Sequence, residues 1–103
     1  MIARMWRGWT AAGDAEAYVQ YMTETGLPDS LGTEGNRGML LLHRRDGERE
    51  EFVTLSLWES EDAIRAFAGD EIDRAVFYPE DAGYLVEREL HVTHWNVGRA
   101  EIP

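Results

Sequence analysis

Residues 51–69 read Glu51-Phe52-Val53-Thr54-Leu55-Ser56-Leu57-Trp58-Glu59-Ser60-Glu61-Asp62-Ala63-Ile64-Arg65-Ala66-Phe67-Ala68-Gly69, and a change of period inside this stretch decides the fold. In Glu51–Trp58 the side chains alternate. Phe52, Thr54, Ser56 and Trp58 fall on one face and Val53, Leu55 and Leu57 on the other, as in a strand. After Ser60, whose hydroxyl suits a helix N-cap, Ala63, Ile64, Phe67 and Ala68 recur at helical spacing, and Gly69 supplies a stop. A strand therefore feeds straight into a helix. The N-terminal part repeats the arrangement. Met1–Trp9 alternates, with Ile2, Arg4, Trp6 and Gly8 opposite Ala3, Met5, Arg7 and Trp9. A helix then opens near Asp14, carries the stripe Ala15, Tyr18, Val19 and Met22, and ends at Gly26, with Pro28 set against its resumption.

The connecting segments complete the order. Leu27–Asn36, rich in Gly, Ser, Thr, Asp and Pro, reads as a loop. Gly38–Arg45 is a strand whose run Met39-Leu40-Leu41-Leu42 implies cover on both faces, and Asp46-Gly47 is a hairpin signal. Glu71–Val76 reads as a short helical piece grouping Ile72, Ala75 and Val76. Phe77–Asp81 breaks it, and Glu80–Val86 offers one more helical turn. The chain closes on a strand over Arg88–Val97, in which Leu90, Val92, His94 and Asn96 alternate with Glu89, His91, Thr93 and Trp95. The order β-α-β-β-α-β is the split βαβ, ferredoxin-like α+β arrangement with an antiparallel sheet. It is expected as one domain over residues 1–103. Such a protomer leaves one sheet face bare, and its small core gains from burying that face in a homodimer.

Composition narrows the function classes. Twenty acidic and ten basic residues give a net charge of −10, which repels nucleic-acid phosphates and anionic membranes. No stretch is long and apolar enough for a membrane span, and no signal peptide is expected. The chain has no cysteine; this removes thiolate chemistry and fits the cytoplasm. Metal binding has little support, because His91 and His94 sit at a strand spacing that points them apart. Gly32-Thr33-Glu34-Gly35 lacks the lysine and the strand–helix context of a phosphate loop. No cofactor is expected. Four Trp, four Tyr and three Phe suit a pocket for a flat apolar molecule.

The stretch Phe52–Ala68, with its strand ending in Trp58-Glu59-Ser60 and a helix ending in an aromatic and small residues, resembles the antibiotic biosynthesis monooxygenase-like family. Met39–Asp46 and His94-Trp95-Asn96-Val97 are similar too. The resemblance implies a dimeric α+β barrel with a pocket between the helices and the sheet of each protomer. It also implies cofactor-independent oxygenation of an anthrone- or quinol-like aromatic or polyketide molecule by O₂. Another branch of the family binds and degrades heme with an Asn on the first strand, a Trp on the second helix and a His after it. Trp6, Phe67 and about Val76 stand at those positions here, without the axial ligand.

Oxygenation without a cofactor needs a base to deprotonate an electron-rich substrate and donors to hold the resulting anion. His94 is the candidate base; if Leu90 and Val92 face the helices, His94 and Asn96 do too, and the last strand lies beside Arg4 and Trp6. Tyr78, with Arg4 or Asn96, is the candidate orienting group. Arg4 is alternatively paired with Glu87 or Glu89. Trp6 is the candidate floor of the substrate site and Phe67 a further substrate contact. Trp58 is either a substrate contact or an anchor beside the Ser60 cap. His43 is expected to be exposed, His91 to face the barrel or solvent, and Glu48–Glu51 to be a solvated hairpin flank. The alternative to an enzyme is a non-catalytic small-ligand binding or interaction domain of the same fold. Heme binding through His94 or Tyr78 is a third reading.

Overall fold

Ile2–Ala11 forms the central strand β1, about which the rest of the chain assembles, its even positions on one face and its odd positions on the other. A computed structural model describes all residues, 1–103. After β1 come a 3₁₀ turn at Ala12–Asp14, helix α1 (Ala15–Glu24) and helix α2 (Gly26–Leu31). Strands β2 (Asn36–Asp46) and β3 (Arg49–Trp58) and helix α3 (Glu61–Ala68) follow. A 3₁₀ turn at Pro79–Gly83 precedes β4 (Leu85–Arg88) and β5 (Thr93–Asn96). The sheet order is β2-β3-β1-β4, with β5 also on β1, and every pairing is antiparallel. This is the expected ferredoxin-like α+β protomer.

Register sorts the side chains into two faces, because residues directly opposite on neighbouring antiparallel strands share a face. One face carries the rows Met39–Ser56–Arg4–His94 and Leu41–Thr54–Trp6. The helices pack there: Tyr18 and Met22 of α1 bury against Phe52, and Ala63 and Ile64 of α3 bury against Trp58. Tyr18 meets Phe52 edge-on with ring centroids 4.7 Å apart, a favourable arrangement of the ring quadrupoles. The other face carries the rows Leu40–Leu55–Met5–Thr93 and Leu42–Val53–Arg7. Leu40, Leu42 and Trp95 are exposed on it. Within one protomer the apolar run of β2 is therefore covered on one side only, leaving the bare face that the topology implies.

Several local expectations need correction. Pro28 does not keep the chain out of helix: α2 spans Gly26–Leu31 with Pro28 in its first turn, where the missing N–H would have had no intrahelical partner. The supposed loop 27–36 is thus half helix. Asp14 sits at the α1 N-cap but its carboxylate makes no capping bond, whereas Ser60 Oγ accepts from Ala63 N at 3.2 Å. The hairpin turns one residue late, since Asp46 pairs with Arg49 and the two turn residues are Gly47 and Glu48. Gly47 has φ 64°, the backbone that the first central position of a II′ turn needs and that glycine adopts without a Cβ clash. Glu71–Val76 is not helical and holds only one turn, Arg74 N to Glu71 O. The closing strand is not continuous. Between β4 and β5 the chain leaves β1 and pairs with residues 73–75, through Ala75 N to Leu90 O at 3.0 Å, Val92 N to Asp73 O at 2.8 Å and an Arg74–His91 bridge. Leu90 is exposed as a result.

Of the expected solvated flank Glu48–Glu51, Glu48 is exposed but Glu50 and Glu51 are buried. Glu51 is 5 % exposed and accepts from Arg7 at 2.6 Å and Arg44 at 2.5 Å. These hydrogen bonds, that from Arg44 foremost, hold its carboxyl below the usual carboxylate range. Glu50, also buried, pairs with His43 Nδ1 at 2.6 Å and with Arg45. His43 is exposed, as expected, and stacks on Phe52 with centroids 5.2 Å apart. His91 is exposed.

Candidate functional site

A cavity lies between the sheet and the helices. Its walls are Trp6 from β1, Phe67 from α3 and Phe77 with Val76 from the segment after α3. Met22 of α1 and Met39 of β2 close it. Its polar lining includes Arg4, Tyr18, Ser56, Tyr78 and Asp81. The cavity volume is about 60 Å³, room for roughly four waters at ~15 Å³ each and short of the ~300–1,000 Å³ of a small-molecule site. A flat polycyclic guest therefore requires the walls to part. Two of the walls are unbranched methionines, which repack readily.

Trp6 owes its pose to its neighbours. Its indole Nε1 donates to Glu89 O at 2.8 Å and its ring meets Phe77 edge-on at 6.0 Å. Gly8, two residues along the same face, makes space for the ring: a Cβ there would stand 2.4 Å from Trp6 Cη2.

Arg4 is the charged element of the sheet side. It is 5 % exposed and pairs with neither Glu87 nor Glu89, contrary to expectation; Glu87 is taken by Arg49 at 2.7 Å. Instead, Arg4 Nη1 donates to Ile72 O and Nη2 donates to Arg74 O at 2.8 Å, so the guanidinium clamps the strand-like segment that follows α3. It also lies over the Phe67 ring, 6.0 Å from the centroid. Burial pulls its pKa down to about 10, partly offset by the nearby Asp73 carboxylate, and it remains a cation at neutral pH.

His94 stands directly across from Arg4 in the β1–β5 register. Its Nε2 is 3.2 Å from Arg4 Nη1 and its Nδ1 is 3.2 Å from Asp73 Oδ1. Arginine only donates, so Nε2 accepts, which puts the ring proton on Nδ1 facing Asp73. The expected neighbourhood of Arg4 and His94 is present, but His94 sits behind Arg4 and is not among the cavity-lining residues. Asn96 has the same parity, yet it pairs with Ile2 one row further out and is exposed. It does not reach the cavity. Trp58 does not line it either; fully buried, it donates from Nε1 to Ser56 Oγ at 2.8 Å and leans on Phe67 at 5.5 Å. It is an anchor of the α3 side of the core.

Tyr78 does line the cavity, and its hydroxyl donates to Asp29 of α2. Burial, with that hydrogen bond, raises its pKa well above the phenol range. Asp81, which the sequence marked only as part of a break, proves to be the acidic group of the cavity. It is 4 % exposed; its Oδ2 accepts from Tyr78 N at 2.8 Å while its Oδ1 has no hydrogen-bond partner. The hydroxyl of Tyr21 also makes no well-formed hydrogen bond but interacts with the same carboxylate: burial first, then hydrogen bonding to Asp81 and its charge, push this phenol up to about 12. The sequence signal for Asp81 was its place three residues after Tyr78, a capping spacing at the start of the Pro79–Gly83 turn.

No family model matches the sequence, and none of the curated proteins compared with it matches. Solved structures do match. The chain is similar to a candidate antibiotic biosynthesis monooxygenase from Bacillus cereus, with a TM-score of 0.67 and 18% identity over 99% of this chain and 97% of that one. It is similar to a substituted form of MhuD with two manganese protoporphyrin IX molecules bound per active site, with a TM-score of 0.61 and 17% identity over the whole of both chains. It is also similar to an uncharacterized NIPSNAP domain protein from Burkholderia xenovorans, with a TM-score of 0.64 and 20% identity over 100% of this chain and 99% of that one. The chain thus has the antibiotic biosynthesis monooxygenase-like fold, that of the dimeric α+β barrel proteins.

The positions that the resemblance matched to the heme-degrading branch, Trp6, Phe67 and Val76, all line this one cavity. Their chemistry does not suit heme iron. Val76 offers no ligand, His94 gives its free nitrogen to Arg4, and Tyr78 donates its proton to Asp29. An axial ligand would have to come from such a group.

Proposed function

We propose that the cavity between helices and sheet is a small-molecule site and that the chain is a cofactor-independent monooxygenase acting on a flat, electron-rich aromatic molecule of the anthrone or quinol kind. The observation that carries this reading is one cavity with three aromatic walls, Trp6, Phe67 and Phe77, a buried cation, Arg4, and a buried carboxylate, Asp81. The fold likeness supports it. In this reading O₂ gives one oxygen to the substrate and the other leaves as water; O₂ accepts four electrons and the substrate supplies all four, losing two hydrogens as it gains the oxygen. The protein deprotonates the substrate and holds the anion. Asp81 replaces His94 as proton acceptor, because Nε2 of His94 is occupied by Arg4. Arg4 orients the anion and His94 positions Arg4; Tyr78, whose proton is held by Asp29, would join them only on releasing it. Two copies are proposed to join through the bare faces carrying Leu40, Leu42 and Trp95.

The test is O₂ uptake with anthrones and hydroquinones, without metal or added cofactor. The reading requires protein-dependent uptake with an oxygenated product, lowered roughly 10²–10⁴-fold in Asp81→Asn; uptake that Asp81→Asn leaves unchanged removes Asp81 from the mechanism. A second reading, a binding domain without turnover, is favoured by the small cavity volume and by the Tyr78 proton already held by Asp29. Saturable binding of an aromatic molecule recovered unaltered supports it.

A further inference from the structure

Arg4 carries an unmet demand. The guanidinium is 5 % exposed and lines the cavity. A buried charge costs several kcal/mol unless it is paired, yet Arg4 forms no ion pair with any carboxylate: its partners are two backbone carbonyls and a neutral imidazole nitrogen. Those contacts use three of the five N–H groups of a guanidinium, and two remain without a protein acceptor. The cavity's acidic group, Asp81, does not reach Arg4; the only carboxylate acting on Arg4's charge is that of Asp73, held behind it by His94. Next to the free donors are the Trp6 and Phe67 rings, the second lying under the guanidinium itself.

We infer that the cavity recognises a small aromatic molecule bearing a carboxylate, with the rings between Trp6 and Phe67 and the carboxylate on the two remaining N–H groups of Arg4. This deepens the preceding section and rests on its placement of the ligand site. The fork of an arginine matches a carboxylate's two oxygens, and the anion supplies the counter-charge that the protein withholds. A neutral aromatic would leave the cation buried and unpaired.

The probes are 2-naphthoate and its neutral isostere 2-naphthamide, titrated against the isotope-labelled full chain while the Trp6 indole N–H signal is followed. The expected result is that 2-naphthoate binds about tenfold or more tightly than 2-naphthamide, the share of one charge-assisted hydrogen-bonded pair. Arg4→Gln should abolish the preference and Arg4→Lys should keep part of it. Should Arg4→Gln fail to fold, the two-probe comparison on the unmodified protein still decides. Equal affinities, or tighter binding of the amide, overturn the carboxylate assignment while leaving the cavity a ligand site. Failure of both probes to move Trp6 overturns the assignment together with the site on which it rests.

Discussion

Replacing Arg4 by Met should unfasten the segment after α3 before it unfolds the protein. Arg4 makes charge-assisted hydrogen bonds to Ile72 O, Arg74 O and His94 Nε2, each contributing ~1.5–3 kcal/mol when intact. Against them stands the cost of burying the cation. A pKa drawn from 12.5 to about 10 corresponds to roughly 3–4 kcal/mol at ~1.4 kcal/mol per pKa unit. The freed carbonyls lie near the surface and can take water. The difference spans ~1–5 kcal/mol, and rehydration of the carbonyls puts the net loss near its low end, at about 2 kcal/mol, smaller than the hydrogen bonds alone suggest. It should fall where the clamp acts, on Ala75 N to Leu90 O and Val92 N to Asp73 O. About 2 kcal/mol is ~30-fold in an opening equilibrium. Amide hydrogen exchange at Ala75 and Val92 should accelerate by that factor, while the β1–β3 ladder from Met5 to Trp9 slows or speeds by much less. Urea denaturation should show the same variant still folding cooperatively. If exchange at Ala75 and Val92 is unchanged, or if every strand exchanges faster by the same factor, Arg4 is not the clamp.

Gly8→Ala should push the Trp6 ring from its place, because the new methyl would stand 2.4 Å from it; overpacking of this kind costs ~1–3 kcal/mol, and the Trp6 indole signal should shift as the bond to Glu89 O breaks. Glu51 should matter below neutral pH. Its folded-state pKa is depressed by Arg44 and Arg7, so its contribution is present above the unfolded value of ~4.3 and is lost as pH falls through the lower folded value. Thermal melts from pH 5 to pH 2 should fall less steeply for Glu51→Gln than for the unmodified chain. The double change Leu40→Asp with Leu42→Asp should halve the mass seen by light scattering and leave the protomer folded, since both side chains are exposed in a single copy; a mass of one protomer before mutation would remove the proposed pairing of bare faces.

The sequence carried those parts of the fold that depend on local period and local chemistry. Phe52–Trp58 and Ala63–Ala68 could be read because a strand and a capped helix each repeat their own spacing, and the parity of Arg4 and Trp6 followed from β1 alone. What escaped reading depends on partners far along the chain. Glu71–Val76 has apolar spacing that suits a helix, but its carbonyls are captured by Arg4, nearly seventy positions away, and its edge is taken by residues 90–92. The same capture breaks the closing strand, exposes Leu90 and puts His94 behind Arg4. The burial of Glu50 and Glu51 was likewise invisible locally, since Arg7, Arg44 and His43 arrive from two other strands. Asp81 showed only its turn-forming side in the sequence; its place at the cavity depends on α1 and α2 packing over it.

The central claim is that ligand enters between the helices and the sheet. Backbone and indole NMR shifts during a titration with 2-naphthoate test it directly. The account predicts the largest changes at the Trp6 indole, Phe67, Phe77 and Tyr78, with Leu42, Leu55 and Trp95 on the opposite face unmoved. Changes confined to that opposite face, with the Trp6 indole silent, would contradict it.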